Sequence, residues 1–368
     1  MRWNWQQPDW PDFTYKPSDL RGQEDRFLKG AGVVIGTMAH LEPQDREQLT
    51  ITMIAQEAVD SSAIEGEILD RASVQSSIAR HLGIKADARR ANAAEAGAAE
   101  LMADLYRTYA EPLSDAMLGH WHAMLMNGRR DLRKIGSYRT HADPMQIVSG
   151  AIHAPKVHFE APPSQRVPDE MARLIVWFNA TGPAGSTPAG ALLRAGLVHL
   201  WFESIHPFED GNGRLGRALA EKALAQSLDA PAITALAETI QRHRKAYYEQ
   251  LQRASRSNEV DAWLAWFADI ALAAQERSRE HVTFLIAKTR LLDRVRGKIN
   301  DRQEKALLRM FAEGPDGFKG GLSAANYRTI TDTLSATATR DLAELVSLGV
   351  LRKEGELRYT RYHLLVGG

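Results

Sequence analysis

The run ALLRAGLVHLWFESI, residues 191–205, constrains the fold more than any other stretch. It is mostly apolar along its whole length, so it reads as a helix buried among other helices. It leads directly into HPFEDGNGRLGR, residues 206–217, whose end opens a second helical segment, RLGRALAEKALAQSL. A buried helix, a turn rich in Pro and Gly, and a new helix therefore meet in one short segment.

The other segments agree with a mainly α fold. Residues 43–64 carry apolar side chains at mixed three and four spacings, with Pro43 suited to the first turn and Gly66 to the position past the end. A helix is predicted over 71–82, stopped by Gly83. An Ala-rich one is predicted from 87 through Tyr106, and another over LSDAMLGHWHAMLMNG, capped by Ser114 or Asp115 and closed by Asn127-Gly128. Residues 145–159 lose the helical period and gain β-branched residues, which predicts a hairpin turning near Ser149-Gly150. Helices are expected again from Asp169, with a loop over 181–190, and then to about Lys288. The first forty residues hold Trp3, Trp5, Trp10 and Phe13 between prolines, read as packing anchors.

With 368 residues, two or three domains are expected. The divisions read from the sequence are 1–85, a Trp-rich helical domain; 86–288, a core; and 289–368, a tail. The tail's order of helix, helix, helix and hairpin reads as a winged helix-turn-helix. Net charge is zero, so no global field points to nucleic acid, membrane or an acidic partner. The absence of cysteine excludes disulfides, thiolate zinc sites and a cysteine nucleophile. The N-terminus lacks a signal-peptide core and the apolar runs are too short to span a bilayer, so a cytoplasmic protein without a membrane partner is expected.

The chemistry of 206–217 can be read residue by residue. Gly211-Asn212-Gly213 allows positive φ and close approach of backbone to a ligand. Successive N–H groups there form an anion-binding nest, and the following helix adds its N-terminal field. Arg214 and Arg217 share a face, and two guanidinium forks beside a nest suit a polyphosphate. Asp210 offers one carboxylate, the usual protein share of a magnesium site completed by phosphate oxygens and water. His206 can serve as a base near neutral pH.

HPFEDGNGRLGR resembles the signature of the Fic family, His-Pro-Phe-x-Asp-Gly-Asn-Gly-Arg-x-x-Arg, at every fixed position. The resemblance implies a helical Fic core that transfers AMP from ATP to a hydroxyl of a protein Ser, Thr or Tyr. On it, His206 would be the general base and Asp210 would hold Mg2+ on the phosphates. The N–H groups of Gly211, Asn212 and Gly213 would form the anion hole. Arg214 would contact the phosphates, Arg217 would hold the γ-phosphate, and Phe208 would pack beneath the site. The hairpin falls where the family has its target-aligning flap, with Val148 the expected clamp. Tyr247 and Tyr248 resemble the aromatic pair near the adenine pocket, with ordinary helix packing the alternative.

SSAIEGE, residues 61–67, resembles the family's inhibitory motif through Ser61, Glu65 and Gly66. A glutamate in a helix's last turn faces the negative end of the macrodipole, a cost of about 0.3–1 kcal/mol that a cation relieves. The resemblance makes that cation Arg217. Ser61, one turn earlier, is expected to steady the Glu65 carboxylate. Glu65 would then withhold Arg217 from ATP. Some family members with this motif also remove AMP, so the direction stays open.

The alternative is a regulator that binds DNA through the winged helix while its Fic core senses ATP; an intact His206 and Asp210 argue against it. The tail is only mildly basic, with Thr337, Thr339 and Arg340 on the third helix and Arg352, Lys353, Arg358 and Arg361 on the wing. Winged helices also serve as protein-docking and dimer surfaces, which leaves a homodimer open.

Overall fold

The computed structural model describes residues 2–86, 89–149, 156–231, 234–318 and 320–365. An aromatic N-terminal segment leads to α1 (Pro17–Ala39), α2 (Pro43–Ile64), α3 (Arg71–His81), α4 (Ala93–Thr108) and α5 (Asp115–Leu125). An antiparallel hairpin, β1 (Gln146–Ser149) and β2 (Lys156–Glu160), precedes α6 (Val167–Ala180), α7 (Ala191–Ile205) and α8 (Asn212–Leu228). Next come α9 (Leu236–Arg242), α10 (Arg244–Ala254) and the long α11 (Asp261–Val295). The chain divides into two units, residues 1–278 and 279–368, and the division falls within α11. The second unit continues with α12 (Asp301–Phe311), α13 (Ala324–Thr331), α14 (Ser335–Ser347) and a hairpin of β3 (Leu351–Glu354) and β4 (Arg361–Leu364). The fold is mainly helical, as expected.

Local signals set most helix ends. Pro43 starts α2, and Gly66 follows it at φ +86°. Ser114 caps α5 by accepting the Met117 N–H. The helix expected from residue 87 begins instead at Ala93, because Asn92 and Glu95 close a reciprocal capping box. Helix α6 begins at Val167, two residues before Asp169, since Pro168 sits in its first turn. Helix α14 stops at Ser347, and Leu351 already opens β3. The expected turn at Ser149-Gly150 is shifted, because Ser149 still pairs with Lys156; Gly150 lies outside the described residues. Helix α1 has no counterpart in the sequence reading. Four glycines dilute its propensity, yet Leu20, Phe27, Ala31, Val34 and Met38 give it a buried stripe.

Helix α7 sits where its composition requires: every side chain but Glu203 is buried. It packs along α8, and α2 packs on α3, α4, α8 and α9. Each large apolar side chain so placed stabilises by about 1.5–3 kcal/mol. The tryptophans are packing anchors. Trp3 meets Phe159 edge-on at 5.2 Å, Trp5 Nε1 donates to the Glu160 carbonyl at 2.7 Å, and Trp10 Nε1 donates to Glu170 at 2.8 Å. The second unit has its own core around Leu307, Met310, Leu342 and Leu345. There buried Asp341 accepts from Tyr327 Oη and Arg302 Nε, each at 3.0 Å, joining its three helices. No helix among the described residues is long and apolar enough to cross a membrane.

Candidate active site

Helix α7 ends at His206, which takes the left-handed conformation at φ +50°, ψ +60°. This turn aims the imidazole into a cavity of about 720 Å³, within the usual size of a small-molecule site. Burial first, then the nearby Arg139 cation, pushes the His206 pKa down to about 4. The ring is therefore neutral at pH 7, the protonation state from which a base starts. Glu203 lies one turn back, its Oε2 3.7 Å from Nδ1. Burial and the Glu65 charge raise Glu203 to about 8.

The loop after His206 is held by its own side chains. Asn212 Oδ1 accepts the Phe208 N–H and its Nδ2 donates to the Phe208 carbonyl, both at 2.9 Å. The Phe208 ring is fully buried and stacks on His122 at 4.1 Å. Gly211 stands at φ +79°, and a Cβ there would come within 2.8 Å of Met126. Asp210 receives the Gly211 N–H on Oδ1 and Arg129 Nη1 on Oδ2, each at 2.6 Å. Burial raises its pKa, but the Arg129 and Gly211 hydrogen bonds outweigh it and hold the group below the usual carboxylate range.

Helix α8 then presents its N-terminus, and the end of α2 meets it. Glu65 Oε1 lies 2.9 Å from Arg217 Nη1. The same oxygen rests where a side chain on Gly213 would be, 2.1 Å from an ideal Cβ. Only glycine admits the carboxylate so close to the first turn of α8. Arg217 is 1% exposed, and its other donors are also engaged. Nε donates to Ser61 Oγ at 2.9 Å and Nη2 to the Ser61 carbonyl at 2.7 Å. The expectation that Ser61 steadies Glu65 is corrected here: Ser61 faces back into the helix interface and grips the arginine. Gly66 supplies the turn that also brings Glu67 to α8, where it pairs with Arg214 Nη1 at 2.5 Å.

Tyr247 and Tyr248 reach the same cavity. Tyr247 is buried against His199, its Oη 2.8 Å from Nε2. Tyr248 Oη lies 3.2 Å from the Ile64 carbonyl and 3.3 Å from Glu65 Oε2, its one hydrogen able to serve either acceptor, so it also holds the end of α2. Val148 is about half exposed on the cavity rim and pairs with Val157 across the hairpin, beside a bulge at Ile147/Val148.

Sequence reasoning missed Arg129, Arg139, His122, Glu203 and Glu67. Glu67 had a signal, a second acid just beyond the Gly66 turn. Glu203 had one too, standing one turn before His206 on the same helix, whereas Arg129, Arg139 and His122 join the site only through tertiary packing. Among the described residues no three His, Asp or Glu side chains gather into a metal cage. The single carboxylate of Asp210 fits magnesium only where a nucleotide brings further oxygens and Arg129 yields Oδ2.

Residues 112–224 match the model described as the Fic/DOC family, and residues 3–84 match a domain of unknown function, DUF4172. The fold is similar to the crystal structure of a Fic family protein from Desulfovibrio desulfuricans G20. That likeness has a TM-score of 0.53 and 21% identity, covering 97% of this chain and 99% of that one. A Fic domain containing signaling protein from Bacteroides thetaiotaomicron VPI-5482 is similar at a TM-score of 0.50 and 16% identity, over 73% of this chain and 95% of that one. At these identities the likenesses show the fold.

Proposed function

Because residues 112–224 are a Fic/DOC family domain, and such domains generally move nucleoside monophosphate groups, we propose that this chain transfers AMP from ATP to a hydroxyl side chain of a protein. One observation carries the reading: His206, the start of α8 and the hairpin edge all face one cavity. The target oxygen attacks the α-phosphorus and its proton passes to the His206 imidazole. The α–β anhydride bond breaks and pyrophosphate leaves. The N–H groups at the start of α8, with Arg214, stabilise the departing charge. Asp210 would hold a magnesium ion, which neutralises phosphate charge when bound. Val148 and its strand would align the target by backbone pairing.

In this reading Glu65 is a brake. It occupies the approach to Gly213 and keeps Arg217 in an ion pair, so a γ-phosphate finds neither. Tyr248 and Ser61 hold the two partners in place. Incubating the purified chain with labelled ATP and magnesium tests the assignment. Labelling of protein that disappears in His206→Ala supports it; labelling that survives the substitution contradicts it. Running UTP and GTP alongside ATP reads the nucleotide.

A further inference from the structure

The Arg139 side chain is 1% exposed, yet among the described residues no carboxylate lies within ion-pair distance of it. A buried guanidinium without a counter-charge is costly, and here its hydrogen bonds all go to backbone carbonyls. Nε donates to the His206 carbonyl at 2.8 Å. Nη2 donates to the Pro162 carbonyl at 2.6 Å and to the Ile205 carbonyl at 3.3 Å. The Arg139 backbone N–H donates to the Pro207 carbonyl at 2.9 Å.

These acceptors have a common logic. Ile205 and His206 end α7, where carbonyls lack helical partners. His206 is also a left-handed non-glycine residue, a conformation costing about 1–3 kcal/mol that surrounding contacts must impose. Pro162 lies just past β2, and the preceding Ala161 extends the ladder by donating to the Met145 carbonyl at 2.9 Å. A planar fork with five donors can reach both segments at once; an ammonium cannot.

We infer that Arg139 is a positioning residue: it fixes the strained turn that aims His206, and it ties that turn to the exit of the hairpin. The spacing between the base and the target-docking edge then depends on one side chain outside the motif. The inference rests on His206 acting as the base in the proposed transfer. Arg139 also contributes its charge beside the imidazole. The other charged or titratable groups facing His206 are Glu203 from α7, Asp210 from the following loop and Glu65 from the end of α2.

Two readouts test it in the full-length chain. The first is the NMR titration of the His206 ring, assigned with His206→Ala. The native ring is expected to titrate near 4, and in Arg139→Gln the midpoint rises toward the ordinary histidine value. Arg139→Lys keeps the charge, so its midpoint stays low. The second is AMP transfer in a Glu65→Gly background. Both Arg139 variants should lose kcat, Gln by about 10²-fold, with KM for ATP unchanged. An Arg139→Gln midpoint equal to the native one, or kcat losses that only track loss of folded protein in thermal melts, would overturn the inference. Should Arg139→Gln not fold, Arg139→Lys decides: native kcat in it contradicts the role. If the chain transfers no nucleotide at all, the proposed reaction fails while the His206 titration still reports on Arg139.

Discussion

At the scale of single residues, the site is built from groups held where solution chemistry would not leave them. Burial, and then the Arg139 cation, keep His206 neutral further into acid than an ordinary histidine. Its depressed pKa places the loss of base function well below pH 6.5, so transfer by the Glu65→Gly form should hold from neutral pH down to about pH 5. A rate that halves near pH 6.5 would show an ordinary, solvated histidine instead. Asn212 is 2% exposed, and both ends of its amide are spent on Phe208. Asn212→Ala should cost about 1–3 kcal/mol, two buried hydrogen bonds' worth, and should lower transfer as the loop loosens. Denaturant unfolding beside the labelling assay checks both.

At the scale of elements, the contact between α2 and α8 joins the proposed brake to a buried pair of carboxyls that bears on stability. Glu57 on α2 and Glu221 on α8 are both buried and near one another, one turn or more beyond the Glu65–Arg217 pair. Glu57 accepts the Ala237 N–H at 2.5 Å, and Glu221 accepts from the Thr234 hydroxyl. Burial raises both carboxyls, Glu57 well up and Glu221 to about 7. The folded state therefore binds more protons than the unfolded one, whose carboxyls titrate near 4.5. The contribution of this pair to stability should fall as pH rises from about 4.5 through 7, by about 1–3 kcal/mol, against the opposite contribution of buried histidines such as His206. Glu221→Gln should flatten that slope; thermal unfolding from pH 5 to 8 that shows an unchanged slope would contradict it. None of this pairing is visible in the sequence, because 164 positions separate the two residues. What was legible was local: the Pro43 start, the Gly66 turn, the Ser114 cap and the Gly-rich entry to α8. Where tertiary packing overrules propensity, as in glycine-dotted α1, the local signal failed. Ser61 was misjudged for the same reason, since its partner lies across the helix interface.

At the scale of the whole chain, every residue named in the site lies in the first unit, residues 1–278. A chain ending after Ser278 should therefore keep nucleotide transfer; loss of labelling in a folded truncation would place part of the machinery in the second unit. The motif made the family domain readable from one segment, but the contacts around Arg217 and Glu65 are spread over α2, α8 and α10. The central claim is that Glu65 withholds Arg217 and the first turn of α8 from the nucleotide. It is tested most directly by comparing labelled AMP incorporation by the native chain and Glu65→Gly under the same ATP and magnesium. Incorporation is expected to rise by about 10²-fold, the scale of one electrostatic donor to a transition state. Incorporation that stays level or drops would contradict the account.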